Sequence, residues 1–498
     1  MTYVEYKQLS PFQQFVYNFK KFFKNLPKAV GRFFKLIGLA IVHFFVGIGK
    51  GIKNYGVTFV KGDWATKLSY IIFGAGSAHK GKYYKGALYF LVEVAYVLFL
   101  VFFGAEQLYW FPTLGDKTVH VSIDPKTRRR IFSEPPDSMR LLLFGTLTIL
   151  VTIVVFVVYI SNIKDAYRLQ QQKEKGERIT TFKEDIQEYM DGKYHITLLS
   201  FPILMICVFN ILPLIFMILI AFTNAGASPG FDWCGFQNFG NVFSIVDGAT
   251  KAKTFAGVAG WTFIWAIAAT FSNYILGLIV ALMINKKGIK GKSIFRTLFV
   301  ITIAVPQFVS LMLMSQLLAE DGAMNLLLGY ITGSNPGIKF LGGEVWIARL
   351  TVIIVNCWVG IPYTILSMSG ILMNIPEDLY ESARIDGASP YKTFTKITLP
   401  YMIFVTTPQL ITQFVGNINN FNVIYLLTGG GPTTQDYVST AGKTDILVTW
   451  LFNLSMNATT PDYGLASTIG ILVFVICATL SLIVYNNSKS MKDEEAFS

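Results

Sequence analysis

Four neutral amides, Gln409, Gln413, Asn417 and Asn420, recur at spacings of four, four and three in an otherwise apolar stretch, which puts them on one helical face. Amides donate and accept without carrying charge, so a row of them suits an uncharged, hydroxyl-rich ligand. Burying four in one span is expensive unless each finds a partner. Two arrangements meet that demand: bonds to neighbouring helices, or the wall of a polar cavity. Pro408 and Gly416 loosen the same helix and favour the cavity. An earlier stretch carries the same kit, with Asn356, Trp358, Gly360, Pro362 and Tyr363 supplying an amide, aromatic faces and a bend. An anionic ligand calls instead for Arg, Lys or an open helix N-terminus.

Catalytic chemistry has no comparable footing. Gly76 to Lys82 reads G-x-x-x-x-G-K, the outline of a phosphate-binding loop, but Tyr83 stands where Ser or Thr must hold magnesium, and no soluble strand precedes it. His43, His79, His120 and His195 sit at no ligand spacing, so neither a metal nor a cofactor is expected. Cys207, Cys357 and Cys477 fall in apolar runs and Cys234 stands alone in a loop, which excludes a disulfide framework. The expectation is a chain that is not an enzyme and takes its energy from a partner.

The elements that must position the amides are membrane helices. Of 498 residues, 53% are hydrophobic and 14% charged, and the mean hydropathy is +0.49; this is the composition of an all-α polytopic membrane protein. Apolar runs of about 20 residues predict eight spans, at roughly 86–104, 140–160, 196–222, 260–284, 297–317, 346–373, 401–427 and 463–485. The net charge of +12 raises nucleic acid as a partner, but in a membrane chain the placement of the cations decides. With a cytoplasmic N-terminus, 31 of the 42 Lys and Arg fall on the inner side, which predicts both termini in the cytosol. Glu93 interrupts the first span at about 2.5–3.5 kcal/mol, and the apolar neighbours offset that cost. A protonated acid, or one bonded to a neighbouring helix, is the expected state.

The chain divides into a basic, aromatic interfacial region (1–82), a two-span hairpin (83–160), a cytoplasmic linker (161–195), a core (196–485) and a short tail (486–498). In the first region Phe12, Phe15, Val16, Phe19, Phe22 and Phe23 share a face opposite Lys20, Lys21 and Lys24, the pattern of a helix lying on lipid. Leu36 to Gly49 is too short to span and is read as interfacial.

Between the sixth and seventh predicted spans the chain reads Glu381-Ser382-Ala383, then Gly387, then Ile397-Thr398-Leu399-Pro400. Physically this is two short helices with a corner: Pro376, Glu377 and Asp378 open the first, Gly387 stops it, Ser389 caps the second and Pro390 begins it. A helical hairpin held in the cytosol with nothing of its own to pack against calls for a second protein. The spacing resembles the EAA loop of ABC-importer permeases, with Ser382 where Ala is usual.

Asn356 through Leu399, Asn417 to Phe421, Leu426 to Pro432 and Ala441 to Val448 together resemble the maltose and maltodextrin permeases of the MalF type over about residues 196–485, as does Gly235-Phe236-Gln237-Asn238-Phe239. The resemblance implies an ABC-permease core and a sugar site midway through the membrane at Gly360, Tyr363, Asn417 and Asn420. Gln413 and Gly416 occupy two further pocket positions but differ in type from the best-known maltose permease, which has a small hydroxyl and an aromatic there. The resemblance also implies coupling through Glu381, Ser382, Ala383, Gly387, Ile397, Leu399 and Pro400, with Glu381 pairing with an ATPase arginine. The partners it implies are a second, MalG-like permease subunit, an ABC ATPase dimer and an extracytoplasmic sugar-binding protein. The alternatives are another oligosaccharide or glycerol phosphate within the same class, or an ion-coupled secondary transporter.

Overall fold

The computed structural model describes residues 45–115, 121–123, 130–132, 137–246, 249–286, 288–334, 337–438, 440–457 and 459–487, with isolated positions between 31 and 43. The predicted surface helix at Phe12 to Lys24 lies outside the described residues, as does nearly all of the 486–498 tail. Helices dominate, joined by two short antiparallel hairpins, Val121–Ile123 with Arg130–Phe132 and Ile245–Val246 with Ala249–Thr250.

Among the described residues, six unbroken helices are long and apolar enough to cross a membrane: Tyr83–Trp110, Ser138–Glu174, Tyr194–Ile220, Lys251–Asn285, Val345–Met373 and Tyr463–Leu482. The other two of the eight expected spans are not straight, so the count of eight is approximate. The fifth is a pair, Lys292–Ala304 and Gln307–Leu317, bent by 86°. Pro306 has no N–H to continue the ladder, and it forces Val305 into an extended conformation (φ −75°, ψ 125°). The seventh is Leu399–Ile418 followed by Phe421–Thr428, broken at Asn419 and Asn420, and its amides keep it out of the strongly apolar set.

By contacts the chain forms two units. One comprises residues 35–238 with 462–467. Here the described helix extends from 45 to 61, past the stretch ending at Gly49, and the segment after it explains the false phosphate-loop signature. Lys80 is buried against Asp63 at 3.0 Å, and Lys82 against Asp185 at 2.5 Å. Asn162 accepts from the Gly74 N–H (2.8 Å) and donates to the Ser69 carbonyl (3.0 Å), while Gln170 accepts from the Asp63 N–H (2.8 Å). The lysines that suggested a phosphate ligand are thus engaged within the protein: Lys80 closes the 62–82 segment on itself and Lys82 ties it to Phe182–Met190, while Asn162 and Gln170 tie it to Ser138–Glu174. Glu93 accepts from the Phe73 N–H at 2.9 Å, so its partner is the backbone of the turn before Ala75–His79 and not a neighbouring helix. Asn238, from the G-x-x-N-F element, donates to the carbonyls of Ala221 (3.0 Å) and Thr223 (2.7 Å) and latches its loop.

The other unit comprises residues 239–461 and 468 onward. Its centre is the packing of Lys251–Asn285 on Val345–Met373, with Leu399–Ile418 alongside. Two glycines set the separation of the first pair. A Cβ on Gly277 would stand 2.5 Å from Thr364 Cγ2, and one on Gly360 2.5 Å from Asn273 Nδ2. This is the small-residue contact by which membrane helices gain packing without a hydrophobic drive.

Candidate functional site

Along the paired helices two apolar clusters flank a group of amides. On one side lies a cluster built on Trp261, Trp265, Ala269, Val352, Val355 and Val423; on the other, one built on Tyr274, Leu278, Met368, Ile375 and Met402. Between them in sequence fall Asn273, Asn356, Gly360 and Tyr363, which line a cavity of about 440 Å³. All six residues expected to touch substrate, Gly360, Tyr363, Gln413, Gly416, Asn417 and Asn420, line it, together with Asn273, Gln307 and Asn356. Among the described residues, no lining side chain is charged. A larger adjoining cavity of about 610 Å³ shares Gln307, Asn356, Gly360 and Tyr363 and adds Trp358 and Ser310.

The amides are held in a partly satisfied network. Asn417 donates to Thr270 Oγ1 (2.9 Å), and its carbonyl accepts from the Trp265 indole (3.0 Å). Asn420 Nδ2 reaches Asn356 Oδ1 and Asn417 Oδ1, both at 3.4 Å, and its Oδ1 accepts from the Val423 N–H to start the helix after the break. Around the cavity three buried amide atoms have no partner: Asn273 Oδ1, Asn356 Nδ2 and Gln413 Oε1. Buried polar atoms are rarely left so, and the residues carrying these three all line the one cavity. Gln409, the fourth amide of the row, is absent from the lining and accepts from Ser367 Oγ at 2.9 Å, so it joins helices. Gly416 has open space where a Cβ would be.

Asn273 and Gln307 went unnoticed in the sequence. An amide four residues before a packing glycine in an apolar run was the available signal for Asn273. Gln307, directly after Pro306, acquires its place only through the 86° bend.

The 374–400 loop has the local form its residues dictate. The first helix is Glu377–Ile385, with Glu377 and Asp378 in its first turn. Gly387 adopts φ +66°, and its N–H bonds the Arg384 carbonyl (3.1 Å) while that of Ala388 bonds Ala383 (2.9 Å), a paired closure of the helix end. Ser389 caps Pro390–Thr393, which continues through a π turn at Phe394–Thr398 into Leu399–Ile418. One expectation needs correction: the loop does have something of its own to pack against. Ala383 is 8% exposed, Tyr380 packs on the Met368–Met402 cluster, and its hydroxyl meets Thr398 Oγ1 at 3.0 Å. Ile397 and Leu399 are half-buried. Glu381, Ser382 and Pro400 remain exposed, as do Leu379, Ile385 and Tyr391.

The glycine-rich segment after Thr428 is also tightly built. A Cβ on Gly430 would lie 2.2 Å from Asp445 Oδ1, and one on Gly442 2.1 Å from the Gly430 carbonyl. Asp445, 1% exposed, accepts from the Gly442 N–H and Thr449 Oγ1, both at 2.7 Å, and from Asn453 at 3.4 Å. Burial pushes its carboxyl up to about 6, against the opposing pull of those donors. Arg349 lies over the Trp261 ring at 4.3 Å and donates to the Lys443 carbonyl.

Residues 273–493 match the family described as the binding-protein-dependent transport system inner membrane component. The galactooligosaccharides permease protein GanP of Bacillus subtilis (strain 168) is 36% identical over 72% of this chain and 85% of its own. The maltodextrin permease protein MdxF of the same organism is 33% identical over 85% of this chain and 95% of its own. The maltodextrin permease protein MalC of Streptococcus pneumoniae is 31% identical over 85% and 96%. The chain therefore belongs to the inner-membrane permeases of binding-protein-dependent ABC importers, in the MalF-type sugar branch, as a multi-pass transport subunit of the cytoplasmic membrane and not an enzyme.

Proposed function

We propose that this chain is one of two transmembrane subunits of an ATP-driven importer of maltose and malto-oligosaccharides, with both termini cytosolic. Its partners are a second, MalG-like permease subunit, an ABC ATPase dimer and an extracytoplasmic sugar-binding protein. The observation that carries the substrate class is the charge-free cavity with three unpartnered buried amide atoms, which a neutral polyol can satisfy and a phosphate cannot. Glycerol phosphate is disfavoured on that ground. The ion-coupled reading loses support because Glu93 is bonded to backbone. Relatives named for galactooligosaccharides and for maltodextrin make galactooligosaccharide the second reading within the same neutral class.

In this reading residues 196–485 are the permease core. Closure of the ATPase dimer draws the 374–400 loop inward, with Glu381 pairing with an ATPase arginine and exposed Leu379, Ile385 and Tyr391 seated in the partner. The two permease subunits then rock between inward- and outward-facing states. Titrating the cognate binding protein, then measuring ATP-dependent uptake in proteoliposomes, tests this with maltotriose, a galactooligosaccharide, raffinose and glycerol phosphate. Saturable uptake of maltotriose is expected. Uptake of glycerol phosphate alone, or uptake that persists without the ATPase, overturns the reading.

A further inference from the structure

We propose that Asn273 is a further sugar contact, its carboxamide reading one substrate hydroxyl from the wall of the amide cavity. The inference rests on the neutral-sugar reading above and adds to it a position outside the amide row. Asn273 is 8% exposed, lines the cavity and holds its Oδ1 buried without a hydrogen-bond partner. The side chain is wedged against Gly360: a Cβ there would lie 2.5 Å from Nδ2, 2.9 Å from Cγ and 3.0 Å from Oδ1. Glycine at 360 therefore does two things, letting the helices approach and leaving room for this amide.

The neighbouring unpartnered atoms sharpen the chemistry. Asn356 Nδ2 is a donor and Gln413 Oε1 an acceptor, and both line the same cavity. With Asn273 Oδ1 they offer two acceptors and one donor to a ligand whose hydroxyls can do both. A purely structural amide has its bonds satisfied within the protein, as Gln409 does with Ser367. Asn273 has nothing equivalent at its oxygen. A site built to bond a hydroxyl discriminates strongly against an analogue lacking it, because the buried atom is then left bare.

The test uses the assembled importer in proteoliposomes with saturating loaded binding protein. Uptake of maltose is compared with that of a set of monodeoxy-maltoses, each lacking one hydroxyl, in wild type, Asn273→Ala, Asn273→Ser and, as a control, Asn417→Ala. Wild type is expected to lose about tenfold or more with one particular deoxy sugar. Asn273→Ala is expected to lose as much with maltose yet to transport that deoxy sugar at the wild-type rate. Asn273→Ser, which keeps a small polar group, covers the case in which the alanine variant does not assemble. An equal loss with every sugar assigns Asn273 to packing, and no loss assigns its oxygen to water; either result overturns the inference. If Asn417→Ala discriminates among the sugars and Asn273→Ala does not, only this inference fails. If neither discriminates, the sugar-cavity reading itself fails.

Discussion

Gly387 offers a graded perturbation of the 374–400 loop, which we propose couples transport to ATP hydrolysis. It sits at φ +66°, and no atom lies within 4 Å of an ideal Cβ, so a substitution is felt through the backbone and not through crowding. Alanine in this conformation costs about 1–2 kcal/mol, and asparagine less, because its short side chain tolerates left-handed geometry. Proline cannot take the conformation and also removes the N–H that bonds Arg384 at 3.1 Å, a loss of about 3 kcal/mol or more. Each step loosens the closure that orients Glu377–Ile385, and with it Glu381. A bias of 1–2 kcal/mol toward misaligned loops shifts their population about 5–30-fold. The assay is sugar-stimulated ATPase activity and uptake by the reconstituted importer, with thermal melting of the complex as control. Coupling is expected to fall in the order Gly, Asn, Ala, Pro while melting changes little between the first three. Full coupling in Gly387→Ala and Gly387→Pro, or losses without that order, would refute the reasoning.

Further outcomes follow from the same geometry. Gly416→Tyr fills the open side of the 440 Å³ cavity, so the ratio of maltoheptaose to maltose uptake is expected to fall, whereas an unchanged ratio places the sugar elsewhere. The carboxyl of Asp445, raised from 3.8 to about 6 by burial, favours the folded segment in its protonated form. That contribution, at most about 3 kcal/mol, is full below 3.8 and is lost as pH rises through about 6. Amide exchange at 430–446 should therefore speed up, beyond its intrinsic pH dependence, from pH 4.5 to 7.5 and flatten in Asp445→Asn. Lys82→Met leaves the nearly buried Asp185 without its cation and with only the Thr180 and Tyr84 hydroxyls as donors, which is expected to cost about 3–5 kcal/mol; a lowered melting temperature checks it.

The readability of the site in sequence divided along physical lines. Signals that live on a single helix were visible: the one-face spacing of Gln413, Asn417 and Asn420, and the Gly387, Ser389 and Pro390 punctuation that the loop geometry reproduces. Signals that need two elements were not. Asn273 belongs to the cavity only because Gly360 lets its helix come close, and the rigid side of the coupling loop depends on Ala383 and Tyr380 finding the helix ends. Hydropathy counted spans well where a helix is unbroken. Its count is approximate where Pro306 turns one through 86° and where Asn420 restarts another, because a window average is blind to backbone breaks. The lysines at 80 and 82 show the converse: a ligand-like spacing explained by two buried lysines paired with Asp63 and Asp185.

The central claim is that the 374–400 loop is the grip of an ATPase on the cytosolic side. A single cysteine at position 381, Glu381→Cys in a background with the four native cysteines replaced, tests it with a membrane-impermeant maleimide in sealed vesicles of both orientations. Labelling is expected only in inside-out vesicles, and it is expected to be blocked once the ATPase subunits are bound. Labelling in right-side-out vesicles, or labelling indifferent to the ATPase, contradicts the account.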